Sequence, residues 1–258
     1  MPKFAANLNW LFTDLPMLDR FVAAKKAGFD AVEYMFPYDY DINDLVKELE
    51  DSKLVQALHN MPPGNWDAGD RGIGCLPDRV DEFRDTVGMA ISAATALRCP
   101  KVNCLAGLTT AGSNAEELEE TFVSNLRYAA AEFAKHDLQL VIEAINTKDM
   151  PGFYLTTSKQ AFDIMDKVGA PNLLFQYDIY HMQIMEGDLA STLAANLDRI
   201  GHLQLADNPG RHEPGTGEIN YPFLFEHIDK IGYDGWIGCE YKPATETLEG
   251  LRWLKSMG

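Results

Sequence analysis

Residues 202–221 read HLQLADNPGRHEPGTGEINY, a short apolar strand that breaks into a loop rich in Pro, Gly and charge. Inside the strand, Gln204 stands between Leu203 and Leu205, where a Val or Ile would ordinarily sit. A buried amide without partners costs about 1–3 kcal/mol, so something must hold it. The corresponding places in the other strands supply the candidates, and finding those strands gives the fold.

Short apolar runs alternate with helical patterns along the whole chain. The runs are Phe4–Leu8, Ala31–Phe36, Val55–Asn60, Lys101–Ala106, Gln139–Ile145, Leu173–Ile179, His202–Ala206 and Trp236–Tyr241. Stretches between and after them, such as LPMLDRFVAAKKAG (15–28), EELEETFVSNLRYAAAEFAKH (116–136) and LEGLRWLKSMG (248–258), carry apolar residues three and four apart, the helical period. Thr157 followed by Gln160 predicts a capping box. Most runs are apolar on both faces, as parallel strands covered by helices must be. Eight βα units of about thirty residues predict an α/β fold, a (β/α)8 TIM barrel. An open doubly wound sheet fits less well, because no glycine-rich dinucleotide fingerprint follows the first strand. Without a linker or a composition break, one domain over residues 1–258 is expected. The exception to the alternation is NMPPGNWDAGDRGIGCLPDR (60–79). An insertion of that length, about 61–79, is expected to lie over the C-terminal ends of the strands as a lid.

Composition narrows the partners. Of 258 residues, 46% are hydrophobic and 24% charged, and 39 acidic against 22 basic side chains give a net charge of −17. That field repels nucleic acid and anionic membranes, so neither is expected as a partner and a small molecule is. No run of ~18 apolar residues offers a membrane span, and MPKFAANLNW lacks the apolar core of a secretory signal, so a cytoplasmic location is expected. Cys75, Cys99, Cys104 and Cys239 show no C-x-x-C pairing and read as reduced thiols, with Cys104 and Cys239 packed in strands. A homo-oligomer is left open.

The last four runs share a feature. LVIEAIN (140–146) carries Glu143, FQYDIYH (175–181) Asp178, the quoted strand Gln204, and GWIGCEYK (235–242) Glu240. Each lies near the C-terminal end of its run, and in a barrel those positions meet at one mouth. Three carboxylates gathered there repel one another and lose solvation, which a divalent cation relieves. Oxygen donors favour Mg²⁺ or Mn²⁺ and leave Zn²⁺ open. Gln204 then has its explanation: its carbonyl is the fourth oxygen ligand. A single Glu in a barrel strand is more often paired with a buried Lys or Arg; four polar residues on adjacent strands make the argument. His59 and His181 read equally well as site or structural histidines. His202 shares a face with Gln204 but lies deeper, as packing or as support. Glu33, in AVEYMF (31–36), reads as a site member or as a buried structural hydrogen-bond partner. No G-x-S-x-G turn supports a nucleophile, and GTG (215–217) is too short for a P-loop.

With these residues in view, the chain closely resembles the hydroxypyruvate isomerase family of xylose-isomerase-like barrels. The likeness runs through FAANLNWLF (4–12), GFDAVEYMFPYDYDI (28–42), LHNMPPGNWDAGDRGI (58–73), KVNCLAG (101–107), PGFYLT (151–156), QYDIYHMQIMEG (176–187), GHLQLADNPGRHEPGTGEINY (201–221) and GWIGCEYKP (235–243). It implies acid/base roles for Glu143 and Glu240, and a metal held by Glu143, Asp178, Gln204 and Glu240. The implied reaction interconverts hydroxypyruvate and 2-hydroxy-3-oxopropanoate through an enediolate. Ala144, where proline is expected, and His212, where a smaller residue is expected, are departures. A substrate carboxylate needs local positive charge, for which Arg211 is the first candidate, with Lys242 and Arg71 behind it. His59 and His181 are candidates to hydrogen-bond substrate oxygens. Competing expectations are an isomerase or epimerase of a related oxo-acid (2-oxo-tetronate) or a free ketose, an endonuclease on the same barrel, and a non-catalytic binding module.

Overall fold

The computed structural model describes residues 2–109 and 112–255. Eight parallel strands, β1 (Lys3–Asn7), β2 (Ala31–Glu33), β3 (Val55–Asn60), β4 (Lys101–Cys104), β5 (Gln139–Glu143), β6 (Leu173–Asp178), β7 (Ile200–Leu205) and β8 (Trp236–Cys239), close into a barrel in chain order. Around it run α1 (Met17–Lys26), α2 (Ile42–Ser52), α3 (Val80–Leu97), α4 (Ala115–Ala134), α5 (Ser158–Val168), α6 (Ile179–Met185), α7 (Leu189–Ala195) and α8 (Tyr221–Ile231), with the short α9 (Thr247–Gly250) and α10 (Arg252–Lys255) last. In α4 the buried Leu118, Phe122, Leu126, Ala129 and Phe133 form one stripe against the strands, as the spacing predicts. At α5, Thr157 Oγ1 accepts from Gln160 N (3.2 Å), whereas Gln160 Oε1 accepts from Thr156 N (3.0 Å). The reciprocal bond therefore lands one residue before the cap expected for a capping box.

Several strands stop short of their apolar runs. This puts Asn7, Glu33, Asn60, Glu143 and Asp178 at the last position of β1, β2, β3, β5 and β6, and Glu240 one residue past β8. Sheet register aligns Asn7 with Glu33, Glu143 with Gln176, and Asp178 with Gln204. Between β2 and β3 the register shifts, Val32 facing Gln56 but Glu33 facing Leu58. The cysteines are free and buried, with Cys104 in β4 and Cys239 in β8 as expected. Among the described residues no helix is long and apolar enough to cross a membrane.

The segment 61–79 is tied to the barrel rather than loose on it. Gly72 bridges Ala106, Cys75 N donates to Ala106 O (2.8 Å), and Asn125 Nδ2 of α4 donates to Gly74 O (2.9 Å). Its exposed tip is held by Asp70, which pairs with Arg79 at 2.7 Å and accepts from Asn65 N. Gly72 is required here: its φ is +99°, and a Cβ would stand 2.3 Å from the Leu105 carbonyl oxygen. Because that neighbour is backbone and cannot swing aside, Gly72→Ala is expected to lower unfolding free energy by about 1–3 kcal/mol. Urea unfolding of the two proteins checks this, and equal midpoints would refute it.

Candidate metal and acid–base site

The carboxylates expected at the mouth do meet there. Glu143 accepts from Asn103 Nδ2 at 3.1 Å. Asp178 caps α6: its Oδ1 accepts from Tyr180 N (2.8 Å) and His181 N (3.4 Å), while its buried Oδ2 receives no hydrogen bond. Glu240 Oε2 accepts from Arg211 Nη2 at 2.6 Å, and Oε1 lies 3.5 Å from Asn7 Nδ2. All three are at most 9% exposed. Burial, then the charges of Glu240 and Asp178, hold the Glu143 carboxyl well above the usual range. Burial raises Asp178 as well, against the pull of Arg211. For Glu240, burial outweighs Arg211 and, with Asp178 and Glu33 adding, pushes it up to about 7. Crowded, poorly solvated carboxylates, with an Asp178 oxygen that accepts no hydrogen bond, fit a hard divalent cation. Glu143, Asp178 and His181 bring donor atoms within 4.8 Å of one another, a grouping able to hold a metal ion.

His181 has a second claim on its place. Asn146 Oδ1 accepts from Lys148 N (3.1 Å) and Asp149 N (2.8 Å), which fixes that amide and turns its Nδ2 onto His181 Nδ1 at 2.7 Å. Nδ1 therefore accepts, and burial keeps the ring neutral by lowering its pKa well below the usual value. A neutral imidazole with Nδ1 accepting carries its proton on Nε2, which lies 3.5 Å from Asp178 Oδ2 and 4.0 Å from Glu143 Oε1. That makes Nε2–H a donor into the mouth, and a poorer metal ligand than the oxygens beside it. Asn146, three residues after Glu143, is the functional neighbour the sequence reading passed over, although it is a polar residue ending an apolar run.

Gln204 finds partners within the protein. Its Nε2 donates to Glu33 Oε1 (2.8 Å), and its Oε1 accepts from Gln176 Nε2 (2.6 Å). Arg211 lies between Asp178 and Glu240, its guanidinium 4.7 Å from the Trp10 ring and 5.1 Å from the Tyr180 ring. Arg71 stacks over Trp66 at 4.0 Å, and Nη1 donates to the Trp66 and Asp70 carbonyls. Both arginines, both glutamates and His181 line one cavity of ≈140 Å³.

Two expected members are elsewhere. His59 is fully buried with its ring against Tyr38 (6.2 Å) and near the Ala90 carbonyl of α3. Leu58 and Asn60, its neighbours along β3, face the interior beside Glu33 and Glu143. Side chains alternate along a strand, so a shift of one position separates mouth from helix layer, and His59 falls on the wrong side. Lys242 is exposed and borders a separate groove of ≈580 Å³ with Lys26, outside the carboxylate cluster. β8 ends at Cys239, so the strand alternation that would place residues 240 and 242 on one face does not extend to Lys242.

With this geometry in place, known proteins supply the context. The family model described as "Xylose isomerase-like TIM barrel" matches residues 21–257. Hydroxypyruvate isomerase of Escherichia coli is 55% identical over 98% of both chains. The chain belongs to the xylose isomerase-like TIM barrel family, in the branch that holds hydroxypyruvate isomerase. A 2-oxo-tetronate isomerase of Pectobacterium atrosepticum is 46% identical over 99% of this chain and 97% of its own. Among solved structures, one from Brucella melitensis described as an AP endonuclease of family 2 superposes with a TM-score of 0.97 at 43% identity, covering 99% of both chains. In this branch of the xylose isomerase-like barrels, the two departures of the present chain lie off the carboxylates. Ala144 is buried just past β5, and His212 Nδ1 bonds the Lys242 carbonyl at 2.7 Å, joining the β7 and β8 loops.

The raised carboxyls carry a pH signature. Folded Glu240 titrates near 7 against an ordinary 4.5, so between those values the folded protein holds a proton that the unfolded chain has released. Stability from this group is fully present below 4.5, falls as pH rises through about 7 and is then gone; Glu143 and Asp178 act in the same direction. Urea unfolding of chelated protein across that range is expected to show the decline, and Glu240→Gln to flatten it. A stability that climbs with pH over the window would contradict these shifts.

Proposed function

We propose that this chain is an isomerase interconverting hydroxypyruvate and 2-hydroxy-3-oxopropanoate by proton transfer between adjacent carbons. The observation that carries the reading is that Glu143 and Glu240, buried and close enough that the charge of Glu240 raises the proton affinity of Glu143, line a single small cavity. The 55% identity with hydroxypyruvate isomerase of Escherichia coli supports it. Glu143, Asp178, Gln204 and Glu240 would hold the cation, Mg²⁺ or Mn²⁺ by their hard oxygen donors. When bound, such an ion supplies Lewis-acid stabilisation of negative charge on the substrate's carbonyl and hydroxyl oxygens.

The chain's own groups do the rest. One glutamate removes a proton from C3 of hydroxypyruvate, leaving an enediolate, and a glutamate delivers a proton to C2, while the hydroxyl proton passes from the C3 oxygen to the C2 oxygen. His181 Nε2–H donates to a substrate oxygen and Asn146 keeps that proton in place. Arg211, with Arg71 across the cavity, binds the substrate carboxylate, providing local positive charge in a chain of net charge −17. The cavity's ≈140 Å³ suits an acid of three or four carbons, and the 46% identity with a 2-oxo-tetronate isomerase supports a second reading with the four-carbon acid as substrate. An endonuclease activity finds no support in an acidic mouth on an acidic chain, since shared fold does not transfer chemistry. A cytoplasmic enzyme with small-molecule partners agrees with the free, buried cysteines.

Glu143→Gln and Glu240→Gln are each expected to cut kcat by at least ~10²-fold while circular dichroism stays native, and a variant with wild-type turnover would remove that glutamate from the reaction. Chelation should abolish turnover and Mn²⁺ or Mg²⁺ restore it; undiminished activity in metal-free protein would refute the cation's role. A panel of hydroxypyruvate, 2-oxo-tetronate and free ketoses, followed by solvent deuterium incorporation, separates the readings by kcat/KM.

A further inference from the structure

Below the mouth lies a second polar layer that the proposed reaction does not touch. Glu33 is 1% exposed. Its Oε1 accepts from Asn7 Nδ2 (2.9 Å) and Gln204 Nε2 (2.8 Å), and its Oε2 meets His202 Nε2 at 2.6 Å. Gly238 of β8 makes the room: a Cβ there would stand 2.1 Å from Glu33 Oε1 and 2.3 Å from Oε2. The backbone of Gly238 lies outside the left-handed region, so the close approach of this carboxyl group, not backbone conformation, calls for a glycine.

An acceptor oxygen flanked by two amides must be met by their N–H groups, because a carbonyl oxygen turned toward it would repel it. Gln204 is thereby oriented. Its Nε2 faces down to Glu33, and its carbonyl faces away, where Gln176 Nε2 occupies one lone pair and the other is left over. Asn7 Nδ2, bonded to Glu33, also reaches to 3.5 Å from Glu240 Oε1. Glu33, Gln176, Gln204, Glu143 and Glu240 border one cavity of ≈20 Å³ that joins the two layers.

We propose that Glu33, backed by His202, is the positioning residue of this centre: it sets which way the Gln204 amide faces and, through Asn7, steadies Glu240. This rests on the reading above, in which Gln204 and Glu240 hold a cation. Were Glu33 only a stabiliser of the barrel, its loss would lower the melting temperature and leave cation affinity alone.

Mn²⁺ titration of the full chain followed by electron paramagnetic resonance, without substrate and with thermal unfolding alongside, tests the proposal. Glu33→Leu, which removes the acceptor, and Gly238→Ala, which keeps every hydrogen-bonding group but displaces the carboxyl, are each expected to weaken Mn²⁺ binding by about 10–100-fold. Glu33→Gln retains an acceptor oxygen for Gln204 and is expected to stay close to wild type. Should Glu33→Leu fail to fold, Gly238→Ala gives the answer alone. A folded Gly238→Ala protein with a lowered melting temperature and wild-type Mn²⁺ affinity overturns the positioning role. Wild-type protein that binds no Mn²⁺ overturns the cation reading and this inference together, so the two failures are distinct.

Discussion

Negative charge gathered out of water, with little buried positive charge to match it, is the constraint on which this mouth is built. Glu33, Glu143, Asp178 and Glu240 are each at most 9% exposed, and the guanidinium in contact with them belongs to Arg211. At the short separations and reduced dielectric of such a site, each like-charge contact costs several kcal/mol unless something offsets it. The protein offsets part of it with dipoles. Asn7, Asn103 and Gln204 turn N–H groups onto the carboxyls, and the first turn of α6 turns two backbone N–H groups onto Asp178. The remainder explains why Glu143, Asp178 and Glu240 hold protons more tightly than usual, and why a cation is the natural complement.

The fold makes this affordable by separating chemistry from stability along the barrel axis. Away from the mouth, Ala5, Ala31 and Ala57 pack with Trp236 as a small apolar cluster. Outside, the strands meet a continuous apolar layer of helices. The carboxylates of the mouth enter at the C-terminal ends, where every βα loop is free to add a partner. The amides that restrain the carboxyls sit on strands, whose positions are set by sheet hydrogen bonds, so the repulsion has no soft element to push against. Segment 61–79, pinned to the exit of β4 and to α4, brings Trp66 and Arg71 to the same rim.

The barrel was legible because eight apolar runs bounded by turn residues leave few other closures, and the carboxylates because a charge inside an apolar run is conspicuous. Gln204 announced itself for the same reason. What was lost was parity and partnership. His59 and Asn60 are adjacent polar residues at one strand end, and only the observed register says which of them faces inward. Lys242 obeys strand alternation on paper but lies beyond the last strand residue. Glu33 and His202 were visible as polar residues, yet their pairing spans 169 positions and leaves no local pattern. Nor did Gly238 signal anything, since the reason for a missing Cβ lies on another strand. Asn146 and Gln176 escaped because uncharged amides in apolar runs attract less suspicion than acids.

Arg211 joins the electrostatics to substrate recognition. Its backbone has a φ of 55°, its carbonyl accepts from Lys242 N, and its side chain runs back between Trp10 and Tyr180 to Glu240. The same guanidinium thus neutralises a buried glutamate and, on the proposed reading, receives a carboxylate. Those duties compete while Glu240 depends on it. On the proposed reading, a divalent ion held by Glu143, Asp178, Gln204 and Glu240 would take over the neutralisation and leave the guanidinium's charge for the substrate. The planar fork of an arginine keeps its donors aimed at the cavity whichever carboxylate it faces, whereas a lysine in the same loop would follow the stronger charge. On that same reading, charge alone would set the order of binding, cation before oxo-acid, because Arg211 stays engaged by Glu240 until another positive charge replaces it.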